Sequence, residues 1–210
     1  MITAAAWFTP DHCGVLATAV RSFHQRSPSI AGTDEMLAFV RRPVKYFARM
    51  TTESRCALGA AHLALESTNW RRSATSEIGL VAAGYEGNLQ ANTNYFRDYL
   101  VSGRSMGRGN LFIYTLPTSA LGEVAIALSL TGPSLHIHDD SHPVAAIIKH
   151  AEQLVRDEEA EGMLCLWSDS HAAVCFAVSS GEESCIRAEA LRNIGPLQLS
   201  DEMRERAKHP

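Results

Sequence analysis

The chain predicts an α/β fold, a mixed β-sheet flanked by helices, and three observations carry that expectation. Short apolar runs at 2–8, 77–83, 163–167 and 172–178, and the alternating stretch from Leu135 to about Asp139, read as strands. Stretches of helical periodicity separate them, and strands alternating with helices of this length pack in layers. The final two strands are joined by a polar turn, Ser168-Asp169-Ser170-His171.

Taken in order, residues 2–8 form a short strand ended by Pro10. Residues 11–40 are mixed, broken by Ser and Pro, and read as a helix or two with loops. From Tyr46 to Ser67 the pattern is helical. There Ala57, Ala60, Ala61, Ala64 and Leu65 recur at three and four, a narrow small-residue stripe suited to close packing. Glu77 to Ala83 is a buried strand, and Asn92 to Val101 an amphipathic helix carrying Tyr95, Phe96, Tyr99 and Leu100. The Gly-rich segment 103–109 is a loop, and Asn110 to Tyr114 leads onward as extended chain.

The stretch from Thr115 to Pro143 reads as a loop, a short helix, a tight Gly132-Pro133 turn, a strand from Leu135 to about Asp139, and a helix opening near Ser141. Pro143 suits a first helical turn, with Ser141 or His142 as its cap. Val144, Ile147, Ile148, Ala151, Leu154 and Val155 then trace one apolar face, and Asp157 to Gly162 closes that helix in solvent. Residues 200–210 form a charged tail expected to fray, which leaves 1–199 as one domain.

Composition narrows the function. Over 210 residues, 19 Lys+Arg stand against 23 Asp+Glu, a net charge of −4 with no basic run interleaved with aromatics, so nucleic acid is not an expected partner. The longest apolar runs are too short to span a bilayer. The N-terminus lacks the basic start and cleavage site of a signal peptide. Cys13, Cys56, Cys165, Cys175 and Cys185 form no CxxC pair, and a reducing cytoplasm fits them best.

Neither a G-x-S-x-G, S-x-x-K, H-E-x-x-H nor a Walker pattern is present, and no cofactor is expected. Gly103, Gly107 and Gly109 with Arg104 and Arg108 lack the strand–loop–helix setting of a phosphate cradle, so they read as a loop. His136, His138, Asp140 and His142 alternate along one strand. Same-face side chains there stand about 7 Å apart, too far for more than two to reach one ion without help from His62, His150 or His171. They read as a polar pocket rather than a metal site.

The ordered set Ile2-Thr-Ala-Ala-Ala-Trp-Phe-Thr-Pro10, Phe47-Ala-Arg-Met-Thr51 with its alanine-striped helix, Ile78-Gly-Leu-Val-Ala-Ala-Gly84, Phe112-Ile-Tyr-Thr-Leu-Pro-Thr118 and Gly132-Pro-Ser134 resembles the N-terminal half of β-ketoacyl synthases. It looks most like the short chain-length-factor proteins of aryl-polyene and related type II polyketide or fatty-acid-like pathways. The resemblance covers roughly residues 1–180. It implies a thiolase-like half fold whose central buried helix starts near Ser141.

In that family a Gly-Pro-Ser turn leads into a strand ending at a nucleophilic cysteine. Counted from Gly132, that position falls on Ser141, between Asp140 and His142, and holds no thiol. The family's two catalytic histidines lie in the second half of its fold, for which this chain supplies no counterpart. The resemblance therefore implies a non-catalytic subunit pairing with an active ketosynthase, with Phe112, Tyr114, Leu116, His136 and His138 at the shared surface or acyl tunnel. Arg41, Arg42, Lys45 and Arg49 form a basic cluster that would steer an acidic acyl carrier protein. Two alternatives stay open: a stand-alone enzyme, either a serine acyltransferase or hydrolase using Ser141 or a metal-dependent one at the histidines, and a self-dimerising binding protein.

Overall fold

A computed structural model describes residues 1–18, 20–70, 77–84, 88–139, 141–181, 184–186 and 196–208. Seven strands form one mixed sheet: β1 (Ile2–Phe8), β2 (His12–Ala17), β3 (Phe23–Arg26), β4 (Ile78–Gly84), β5 (Ser134–His136), β6 (Gly162–Ser168) and β7 (Ala173–Ser179), in the order β3-β2-β1-β7-β6-β4-β5. β4 runs parallel to both β5 and β6, and the remaining pairs are antiparallel.

Residues 11–40 thus begin with two strands where the sequence suggested helices. β2 is shielded because it sits between β1 and β3, whereas β3 (Phe-His-Gln-Arg) is an exposed edge without an apolar face to announce it. Among the described residues there, only α1 (Thr33–Val40) is helical.

α2 (Thr52–Glu66) is capped by Thr51, whose hydroxyl oxygen accepts the Ser54 amide at 3.2 Å. The alanine stripe explains its position, and burial extends all round the helix from Cys56 to Leu65. With α1 and α5 (Ser119–Leu128) it covers one face of the sheet.

α6 (Pro143–Arg156) covers the other face. It starts where the sequence placed a helix and buries Val144, Ile147, Ile148 and Ala151. Beside it lies α7 (Pro196–Lys208), so the expectation of a frayed tail is corrected: Leu199, Met203 and Ala207, one turn apart, pack into the same apolar cluster. A boundary at 199 falls inside this helix.

α3 (Leu89–Val101) begins a turn earlier than periodicity indicated and has no buried residue. Asn110 to Tyr114 is not extended: α4 (Gly109–Phe112) runs into a 3-10 turn at Ile113–Thr115. That pair meets α5 at 100°, and among the described residues no single helix is long and apolar enough to cross a membrane.

Candidate functional site

The loop that carries Ser141 is fixed from below by the Gly132-Pro133 turn. The Gly132 amide donates to the Ile78 carbonyl at 3.0 Å, and the Leu80 amide donates to the Pro133 carbonyl at 2.8 Å. This approach needs glycine on both sides. A Cβ on Gly132 would meet the backbone of Ile78 and Gly79, and one on Gly79 would meet the Met163 sulfur and the Pro133 carbonyl.

β5 then pairs with β4 over only three residues, shorter than the strand to Asp139 that the sequence suggested. The Ile137 amide still reaches the Ala82 carbonyl at 2.8 Å. Beyond it Asp139 turns the chain: its Oδ1 accepts the amides of Ser141 and His142, each at 2.8 Å. The expected cap at Ser141 or His142 is therefore corrected, since His142 sits at the N-cap without a side-chain cap bond. The capping oxygen comes from Asp139, because this turn aims its short carboxylate at the next amides. The His142 and Ser141 amides hold the Asp139 carboxyl below the usual carboxylate range, aided by the charges of His142 and His138.

Ser141 and His142 are exposed, and Asp140 lies outside the described residues. Amides at such a turn can stabilise a thiolate or a developing oxyanion. Here a carboxylate already occupies them, so Ser141 stands next to a negative charge. His138 is exposed and His136 half-buried. Burial, then the charge of His138, lowers the His136 pKa from its ordinary value. Among the described residues no three His, Cys, Asp or Glu side chains gather closely enough to hold a metal ion.

Several large apolar side chains are exposed in the segment that leads to this loop. Phe112, Ile113 and Leu116 from the α4 segment, Ile126 of α5 (75% exposed) and Leu135 of β5 are all open to solvent. β5 ends the sheet, so its outer backbone edge is unpaired among the described residues. Tyr114 is not among these exposed side chains. It turns inward, buried, and its hydroxyl donates to Glu123 Oε1 at 2.8 Å. Ile113, Ile126 and Leu135 were not singled out by sequence reasoning; the signal was α5 itself, apolar nearly all round in Ser-Ala-Leu-Gly-Glu-Val-Ala-Ile-Ala-Leu.

The basic cluster is split by the fold. Arg42 Nη1 donates to the Leu128 carbonyl at 2.7 Å, tying α1 to the end of α5. Arg41 is exposed at the left-handed C-cap of α1. Arg49 and Lys45 flank the exposed Tyr46 ring at 3.8 and 4.9 Å from its centroid. A separate cleft of about 500 Å³ opens between the first turns of α2 and α3 and the turn after β6, lined by Glu53, Asn88 and His171 among others.

No family model and no curated protein matches the sequence. Solved structures do. The structure of the ketosynthase ApeO in complex with its chain length factor ApeC from Xenorhabdus doucetiae has a chain that matches at 13% identity and TM-score 0.58, over 100% of this chain and 92% of that one. The ishigamide ketosynthase/chain length factor matches at 18% identity and TM-score 0.58, over 87% and 62%. A type II polyketide synthase acyl-carrier protein in complex with its ketosynthase, AntDE:AntF, matches at 11% identity and TM-score 0.54, over 84% and 62%. This chain spans about six-tenths of the length of those last two. The likeness establishes the fold as the thiolase-like ketosynthase fold.

Proposed function

We propose that this chain is a non-catalytic, chain-length-factor-type subunit that pairs with an active ketosynthase and helps shape its acyl cavity. The observation that carries this reading is the open backbone edge of β5, together with the exposure of the large apolar side chains Phe112, Ile113, Leu116, Ile126 and Leu135. An exposed edge strand beside large apolar side chains is a surface built for another chain. Occupation of the Ser141 and His142 amides by Asp139 supports the non-catalytic part, because these two donors are not free for an anionic nucleophile.

Two finer assignments go with it. Lys45 and Arg49, which flank Tyr46, together with the exposed Arg41, are the groups on which an acidic carrier protein would dock, while Arg42 is tied to the end of α5. The reading places the chain in the cytoplasm, where its five free thiols accord with a reducing environment.

Co-expression with a candidate partner ketosynthase, followed by size-exclusion chromatography with light scattering, tests the pairing. The expected result is a 1:1 complex that Leu135→Asp with Ile113→Asp abolishes while the isolated chain stays folded. Acyl transfer or hydrolysis by the chain alone, lost in Ser141→Ala, would overturn the reading.

A further inference from the structure

We propose that the C-terminal half of α3 and the loop after it bind an anionic lipid surface. Phe96, Leu100, Val101 and Met106 enter the headgroup region, and Arg97, Arg104 and Arg108 meet its phosphates. Lipid contact does not depend on the subunit reading, since the chain alone would make it.

Orientation makes the case. The helix is amphipathic, yet its large apolar side chains do not all turn to the body of the protein. Tyr95, Asp98 and Tyr99 are half-buried, and the Tyr95 ring packs on Phe112 at 5.7 Å between centroids. Phe96 and Leu100, one turn apart, are exposed, and Val101 ends the helix 85% exposed. The loop is held against this last turn. The Arg104 amide donates to the Tyr99 carbonyl at 3.0 Å, and Arg108 Nε pairs with Asp98 Oδ2 at 3.3 Å. Between them stands Met106, 79% exposed.

Charge selects the occupant. Residues 88–118 carry Arg97, Arg104 and Arg108 against Asp98, in a chain of net charge −4. Asp98 is held by Arg108, so this part of the molecule presents positive charge together with open apolar side chains. Helices that lie in a bilayer interface combine these two features. α3 is also an outer helix with no buried residue, a convex ridge that a deformable bilayer can surround. Burial of the apolar groups drives entry. Each arginine near an anionic leaflet adds roughly fivefold in binding.

The test sediments the full chain with vesicles of phosphatidylcholine alone and of an equal mixture with phosphatidylglycerol. The expected result is salt-sensitive binding to the mixture and at least about tenfold less to phosphatidylcholine. Arg97→Gln/Arg104→Gln is expected to weaken binding to the mixture by about tenfold or more. Phe96→Ser/Leu100→Ser is expected to abolish it while circular dichroism stays native. No binding to the mixture, equal binding to both vesicles, or variants that bind like wild type overturns the proposal and leaves the subunit reading standing. A Phe96→Ser/Leu100→Ser chain that keeps its vesicles but no longer pairs with a ketosynthase makes α3 a protein contact and overturns it too. Should that variant misfold, the arginine pair decides alone, because both side chains are exposed.

Discussion

The Tyr114 hydroxyl donates to the Glu123 carboxylate at 2.8 Å, tying the turn after α4 to α5. Burial first, then this bond and the charge of Glu123, hold the phenol neutral well above the usual tyrosine range, against the opposing charges of Arg49 and Arg55. Tyr114→Phe removes a donor from a carboxylate and is expected to cost about 1–2 kcal/mol in urea unfolding. A variant as stable as its parent would show that the bond is worth nothing net.

Gly59 supplies a sharper packing test. A Cβ there would come within 2.3 Å of the Phe8 ring, where α2 crosses β1. Gly59→Ala is expected to destabilise by about 1–3 kcal/mol through overpacking. Gly122→Ala in α5, whose Cβ would meet nothing within 4 Å, is expected to stabilise by about 0.5–1 kcal/mol through helix propensity. Parallel denaturant titrations of the two variants should move in opposite directions.

The parts of the fold that were legible share one property: their apolar spacing matches their own geometry. β1, β4, β6 and β7 are continuous apolar runs because both faces are covered. The faces of α2 and α6 repeat at helical spacing. β3 was hidden because an edge strand can be wholly polar. α7 was hidden because Leu199, Met203 and Ala207 are diluted by charge, though their four-residue spacing was there to read. At the site, the position of Ser141 followed from the Gly132-Pro133-Ser134 turn. The capping role of Asp139 and the inward turn of Tyr114 depend on backbone direction over a few residues, which side-chain identity does not encode.

The cysteines should be inert in the native chain. Burial pushes the Cys56 thiol up to about 12, with the charges of Asp169 and Glu53 adding to it, and burial pushes Cys185 up to about 11. Cys13, Cys165 and Cys175 are raised as well, burial being the main cause each time. All five are therefore neutral thiols at pH 8, and a thiolate is what reacts. Labelling with a chromogenic disulfide at that pH should be slow for the folded protein and should reach 5 thiols once it is unfolded. Rapid labelling of any thiol in the native state would contradict this burial pattern.

Asp139 decides whether the turn at Ser141 could support an anionic nucleophile. Its folded-state pKa is depressed by the His142 and Ser141 amides. Its contribution to stability is therefore present above the ordinary aspartate value near ~3.9 and is lost as pH falls through the lower folded value. Amide shifts of Ser141 and His142 should follow that titration by NMR and cease to do so in Asp139→Asn. The chemical consequence follows from the same contacts. A thiol introduced by Ser141→Cys faces a carboxylate with the turn amides already engaged, so its pKa should stay at or above the free-cysteine value of about 8.5. Adding Asp139→Ala releases both amides and removes the negative charge, and the thiol pKa should fall. Iodoacetamide alkylation rates against pH measure both variants. An activated thiol in Ser141→Cys alone would mean that Asp139 does not close this turn to anionic chemistry.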